Sequence, residues 1–319
     1  MKVTLFGPEG PSDMPAAELK SALAANVGLV WVDMTGPTDE DVQVMREVFN
    51  FHPLAIEDAC KKKQRPKVDD YGDYLFIILN PAAMVRDRPA FRELDVFLGR
   101  NYIVTVHAGD EPAIDDARKR VGRTAQTSSV SAGYLLYLLV DVSVDSYFAI
   151  LDALGERIEE MGNLVLEKPT REQLNTLFRL RKALLELRRV SGPQRDMFNA
   201  LTRRDLPLID QRVLQYFLRD VYDHLLRIMD MIDTFRDAVT STVDLYMSAV
   251  SNRLSQVVNR LAVITVVIGT LGVISGFYGM NFEQTWPPFP APWGVSFALG
   301  FMILITGLLL LVFRKAGWY

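Results

Sequence analysis

The run Leu261–Phe282, LAVITVVIGTLGVISGFYGMNF, holds 22 residues and no charge. About 20 consecutive apolar residues, each rising 1.5 Å, cross a ~30 Å hydrocarbon core as one helix. A second apolar run, Trp293–Phe313, follows at once. A buried hairpin inside a soluble core is the alternative, and two uncharged runs of this length argue against it. A lipid bilayer is therefore an expected partner, and the upstream chain reads as a soluble apparatus attached to a two-helix hairpin.

The flanks give an orientation. Arg253 and Arg260 precede the first run, and Arg314 and Lys315 follow the second. The loop between them carries one charge, Glu283, and the prolines Pro287, Pro288, Pro290 and Pro292. The positive-inside rule places both flanks in the cytoplasm and the loop outside. The expectation is a multi-pass protein of the inner (plasma) membrane with cytoplasmic N- and C-termini. The opening MKVTLFGPEG lacks the apolar stretch of a signal peptide, so the large N-terminal part is expected to stay unexported.

Composition excludes several classes. The single cysteine, Cys60, leaves no disulfide framework. A formal net charge of −4 argues against nucleic acid as a partner. No P-loop, Gly-rich dinucleotide turn or activated nucleophile constellation is present, so no enzyme is expected. With one Cys and three His, no spacing suits a zinc site.

The fold class expected is an α+β cytoplasmic domain with long helices, followed by two C-terminal transmembrane helices. Residues 1–125 read as the α/β part. Gly28–Met34, Tyr74–Leu79, Leu94–Leu98 and Tyr102–Val106 are strand-like, the last two joined by a turn at Gly99-Arg100-Asn101. Asp39–Phe49 and Pro112–Val121 have helical spacing. The basic run Lys61–Lys67 reads as a solvated loop facing Asp69, Asp70 and Asp73. Residues 126–260 are helical in texture: Ala132–Met161, then Thr170–Val190 with Thr170 as N-cap, broken at Ser191-Gly192-Pro193. Residues 261–319 are the membrane hairpin. After Pro207 no Pro occurs until Pro287 and no Gly until Gly269. One helix from about residue 208 into the first span would exceed ~60 residues, or ~90 Å. A helix that long cannot bury itself in one compact domain and suggests bundling with copies of itself.

Alternating steps of four and three from Asp244 pass through Ser248, Ser251, Ser255, Val258, Ala262, Thr265, Gly269, Gly272 and Gly276. Such steps trace the seam of a left-handed bundle. Here the seam is small or polar, while bulky Leu261, Val263, Ile264 and Val266 lie off it. A shared axis lined this way could hold water and a cation. Close packing through the GxxxG element Gly272–Gly276 needs the same small residues. The stepping continues upstream through Ser241, Asp237, Thr234, Asp230, Arg227, Asp223 and Asp220.

The chain ends its first span on Tyr278-Gly279-Met280-Asn281-Phe282, and there it resembles the CorA family of divalent-cation channels. Arg219–His224, Asp244-Leu245-Tyr246, Ser251-Asn252, His52-Pro53-Leu54 and Gln64–Val68 extend the resemblance over most of the chain. The resemblance implies a homopentameric funnel whose pore is built from the first span of each subunit. It implies Mg²⁺ as the ion carried, with Co²⁺ and Ni²⁺ as further ions, and closure by intracellular Mg²⁺ bound between subunits. By the same resemblance Gly279, Met280 and Asn281 form the selectivity loop, and Asp244 is an acidic pore position. Asp220 matches an acid of the regulatory metal site, with Asp87 the nearest candidate for its N-terminal partner. His224 is expected to pack or hydrogen-bond rather than ligate. Leu261 is retained at the hydrophobic gate, where Val258 and Gly269 stand at positions that often carry Met. The chain departs from the family in having Thr270 and Gly272 where a Pro and a pore-facing Thr are common.

A ring of Asn281 carbonyls could accept hydrogen bonds from the water shell that Mg²⁺ gives up reluctantly. A helix C-cap is the plainer use of such an Asn. Two other functions are weighed against a magnesium channel. A zinc transporter of the same superfamily would be expected to carry Val in place of Met280. A membrane-anchored ion sensor would bind ions without conducting them.

Overall fold

The computed structural model describes every residue except 62–63, 87, 126–129, 204–207, 209–210, 281–292 and 319, and gives backbone alone at 203 and 211–215. The chain opens on strands β1 (Lys2–Gly7) and β2 (Gly10–Asp13). Helix α1 (Leu19–Ala25) stops at Asn26, held in the left-handed conformation that Asn tolerates. Strand β3 (Leu29–Thr35) leads to α2 (Asp39–Glu47). There the Thr38 hydroxyl accepts from the Asp41 amide at 3.3 Å, and the Asp41 carboxylate accepts from the Thr38 amide at 2.9 Å. This reciprocal cap satisfies two of the helix's free amides. Helix α3 (Pro53–Cys60) starts with Pro at a position where no amide is needed. Then come β4 (Lys67–Asp70), β5 (Leu75–Leu79), the hairpin β6 (Ala82–Val85) and β7 (Arg88–Phe91), β8 (Leu94–Leu98) and β9 (Tyr102–His107). The remaining chain is helical: α4 (Pro112–Ala125), α5 (Ala132–Glu167), α6 (Arg171–Arg203), α7 (Gln211–Tyr278) and α8 (Gly294–Lys315).

A seven-stranded sheet runs β2-β1-β3-β9-β8-β5-β4, antiparallel except where β3 lies parallel to β9. Every residue of β5 and β8 is buried. These strands are covered on both faces, which is why they read as continuous apolar runs. One face packs Val30, Val32, Phe76 and Phe97 against Met45, Phe49, Phe51, Ala55 and Ile56 from α2, α3 and the turn between them. The Phe51 and Phe97 rings stack at 4.1 Å. On the other face the Arg118 guanidinium of α4 lies 4.4 Å from the Trp31 ring centre and donates to Asp33 at 3.0 Å. Burial pushes the Asp33 carboxyl up, but hydrogen bonds from His107 and Thr105 and the Arg118 charge hold it below its ordinary value. The basic run is tied down at its ends: Lys61 pairs with Glu57, and Lys67 with Asp58 at 2.8 Å and Asp69 at 2.6 Å.

The chain forms two compact units, Met1–Met161 with Leu174–Ser241, and Gly162–Gln173 with Thr242–Tyr319. In the first, α5 is apolar and long enough to span a membrane, yet 67% of its most apolar window is buried inside the protein. Its Tyr147 hydroxyl donates to the Asn80 carbonyl at 2.7 Å and accepts from Gln194 at 2.6 Å. Helix α6 begins as expected at Thr170, which caps Gln173 and is capped by it in return.

The expected break at Ser191-Gly192-Pro193 is not there: α6 continues through Pro193 to Arg203. An interior Pro costs about 3 kcal/mol. The cost is offset by packing against other helices: Met197, Phe198 and Leu201 are buried, the Ser191 hydroxyl meets Met229, and Gln194 donates to Tyr147. The continuous helix expected from about residue 208 is α7, 68 residues long. In the first unit it buries Val221, Leu225, Ile228, Ile232 and Val239. It approaches α5 closely at Gly155, where an added Cβ would stand 2.8 Å from the Phe235 ring.

Candidate functional site

The 4-3 stripe occupies the uncovered face of α7. In the first unit Asp220, Asp223, Arg227, Asp230, Thr234, Asp237 and Ser241 are all exposed, opposite the buried Val221, Leu225 and Ile228. In the second unit Asp244, Ser248, Ser251, Ser255, Val258, Thr265, Gly269, Gly272 and Gly276 are exposed, and Ala262 is half-buried. Leu261 is 57% exposed, and Ile264, Val266 and Ile268 beside the stripe are exposed as well. An added Cβ at Gly269, Gly272 or Gly276 would meet nothing within 4 Å. The two glycines of the GxxxG element therefore face no described residue of their own chain.

Two hydroxyls on this face share one geometry. Ser248 donates to the Asp244 carbonyl at 2.9 Å, and Thr265 to the Leu261 carbonyl at 2.8 Å. Each spends its only proton on the helix backbone and leaves lone pairs outward as acceptors. A surface of acceptors suits the water shell of a cation, whose hydrogens point away from the ion.

The helix closes at its far end with Gly279 donating to the Ser275 carbonyl at 3.0 Å and Met280 to the Phe277 carbonyl at 3.3 Å. Gly279 and Met280 are both exposed. An added Cβ on Gly279 would come within 3.3 Å of the Ser275 carbonyl, so the close turn favours a residue without one. Asn281 lies outside the described residues, as does Asp87.

The fold brings Asp220 to acids that the sequence did not single out. Asp141 and Asp145 of α5 and His224 of α7 place ligand atoms within 4.8 Å of one another. His224 Nε2 lies 4.0 Å from Asp220, and Nδ1 lies 3.6 Å from Asp145. His224 also packs edge-on against Phe148, centroids 5.8 Å apart, so it packs as expected and faces the acids too. Arg120 binds Asp141 at 2.7 Å and approaches Asp145 at 3.7 Å. Despite Arg120, burial and the Asp145 charge push the Asp141 carboxyl up. Nearby, burial and the charges of Asp141 and Asp220 push the Tyr137 phenol up to about 12. The cluster thus carries more negative charge than its own cation balances. The sequence signal for it was the i,i+4 spacing of Asp141 and Asp145, which puts both on one helix face.

In the second unit only 6% of the most apolar window of α7, and 6% of that of α8, is buried. Both helices meet the length and hydropathy of a membrane span.

A family model described as "CorA-like Mg2+ transporter protein" matches residues 26–315. The "Cobalt/magnesium transport protein CorA" of Thermotoga maritima is 34% identical over 292 residues, covering 90% of this chain and 83% of that protein. The Bacillus subtilis protein YfjQ is 31% identical over 294 residues, covering 92% and 91%. Among solved structures, the complete CorA magnesium transporter from Methanocaldococcus jannaschii superposes with a TM-score of 0.83, covering 100% of this chain and 99% of that one. At 23% identity that likeness is one of fold.

Proposed function

This chain belongs to the CorA-like Mg²⁺ transporter family, and from that premise we propose that it is a homopentameric channel that admits Mg²⁺ across the plasma membrane, with Co²⁺ and Ni²⁺ as further ions. The observation that carries the reading is the outward face of α7. Small and hydroxyl residues stand exposed there from Asp244 to Gly276, with no described residue of the chain packed over the glycines. Copies of α7 around an axis would turn that face into a wet path lined by acceptors.

Asp244 and the acids upstream lower the energy of a divalent ion at the cytoplasmic end. The Gly279-Met280-Asn281 loop lies outside, where five Asn281 carbonyls take hydrogen bonds from the ion's water. Transport is passive: a divalent ion gains ~4.6 kcal/mol per 100 mV of membrane potential, twice the single-charge figure. Arg253, Arg260, Arg314 and Lys315 support cytoplasmic termini. The zinc alternative is not favoured, since the curated CorA relatives are named for cobalt and magnesium.

Closure by intracellular Mg²⁺ is assigned to the cluster around Asp220. The two carboxylates and one imidazole of Asp141, Asp145 and His224, with Asp220 4.0 Å from His224 and the Asp141 carboxyl raised, offer oxygen donors to a hard divalent cation. Asp141, Asp145, Asp220 and His224 would hold it, with Asp87 as the candidate from the N-terminal part. The bound charge would relieve the repulsion among the carboxylates.

The test is Mg²⁺ uptake into liposomes by the full chain and by Asn281→Ala. The variant is expected to assemble normally and to lose uptake by about tenfold or more. Wild-type rates from Asn281→Ala would refute the role given to the Asn281 carbonyls. An absence of flux from the native protein would leave the sensor reading, and a preference for Zn²⁺ would restore the zinc one.

A further inference from the structure

A cavity of about 270 Å³ opens in the first unit between the β6–β7 hairpin, α5 and α6. Its floor is apolar, with Leu154, Leu180 and Ala183 only 3%, 5% and 6% exposed. Its rim is cationic: Arg86 and Arg88 from the hairpin, Arg157 from α5, and Arg179 and Lys182 from α6. Among the described residues one carboxylate, Glu186, lines this opening, 3.9 Å from Lys182. Among the described residues, a chain of formal net charge −4 thus gathers mostly cations at this opening. The side chains of Arg86 and Arg88 have no ion-pair or hydrogen-bond partner among the described residues. Arg179 is fixed in place, since it donates to the buried Thr176 hydroxyl at 2.8 Å.

Like charges gathered around one cavity repel unless an anion sits among them. The planar guanidinium fork matches the oxygens of a phosphate. The larger cavity of about 930 Å³ nearby sets Arg65, Arg92 and Arg189 against Glu93, Asp110, Glu111 and Glu186, so among the described residues its carboxylates outnumber its cations and it does not favour an anion. We infer that the smaller cavity binds a phosphorylated small molecule, its phosphate held by the rim arginines and any organic part resting on the Leu154–Leu180–Ala183 floor. The same chemistry admits two sources, an organic phosphate such as a nucleotide and an inorganic polyphosphate.

The test is calorimetry on the detergent-purified full chain in Mg²⁺-free buffer, which reads binding without flux and so stands apart from the transport reading. The probes are inorganic phosphate, tripolyphosphate, AMP and ATP. Saturable binding that weakens with added NaCl is expected. The double variant Arg88→Gln/Arg179→Gln should weaken it by about a hundredfold, roughly tenfold for each charge-assisted hydrogen bond removed. AMP binding tighter than inorganic phosphate assigns the floor to an organic part, and tripolyphosphate binding as tightly as ATP assigns an inorganic ligand. Either result upholds the site. No saturable binding of any probe up to millimolar concentration, or binding unchanged in the double variant, overturns it. Should the double variant lose its thermal transition, Arg88→Gln alone decides, with about a tenfold weakening expected and unchanged binding overturning the assignment.

Discussion

Strand β8 and helix α8 are both apolar runs, yet every residue of β8 is buried while only 6% of the most apolar window of α8 is. Helix α5 arbitrates between them. It passes the same length and hydropathy test as α7 and α8, and 67% of its window is covered by the chain itself. Apolar composition says that a segment must leave water. What replaces the water is decided by the rest of the molecule: sheet and helices cover β8 and α5, whereas the most apolar windows of α7 and α8 are left almost bare by the described residues of the chain, as a membrane span would be.

The comparison breaks most sharply at Gly272. A Cβ there meets nothing among the described residues of its own chain, so Gly272→Leu should leave the thermal transition alone. It should cut Mg²⁺ uptake by about tenfold or more if the face lines a shared path. Unchanged uptake would move that face into the lipid with the rest of the span.

On the covered side, Phe97→Ala opens a cavity between stacked rings and should cost about 3–5 kcal/mol in denaturant unfolding. Leu254→Ala on exposed α7 should cost about 0.5 kcal/mol or less. Similar losses at both positions would erase the distinction.

Between the two, Asp220→Ala should weaken closure by internal Mg²⁺ by about fivefold or more, read as residual uptake against rising internal Mg²⁺. Unchanged inhibition would remove Asp220 from regulation.

A pH-dependent effect is expected at Asp95. Its carboxyl is 2% exposed and one oxygen has no partner among the described residues. Burial, with Glu93 and Asp58 adding to it and Lys67 opposing, pushes this carboxyl well up. An acid whose folded pKa lies above its unfolded value binds more protons when folded, so the native protein loses stability as pH rises past ~3.9. Asp95→Asn should therefore stabilise by about 1–2 kcal/mol at pH 7 and by nothing near pH 3, measured by thermal melts at both.

The sequence made the two spans and α7 legible because long uncharged runs and the absence of Pro and Gly are one-dimensional signals. The buried strands were legible for the same reason: Leu75–Leu79 and Leu94–Leu98 are apolar almost throughout. The course of α6 through Pro193 was not, because the packing that offsets the proline comes from Tyr147 and Met229 on other helices. The β6–β7 hairpin escaped notice because its short strands, only partly buried, carry little apolar alternation. Asp220 was singled out by resemblance, but Asp141 and Asp145 stand more than 70 residues away in sequence, and only the packing of α5 on α7 brings them beside His224.

The close approach of Phe235 to Gly155 works as an index mark. An α-helix turns by about 100° per residue, so a slip of one position would swing Asp220 and His224 away from Asp141 and Asp145 and present a different set of side chains outward. A side chain at position 155 would displace the Phe235 ring, so the glycine favours the rotational phase that seats it. The missing side chain at Gly155 thus helps to set the rotation that turns Asp220 and His224 toward Asp141 and Asp145.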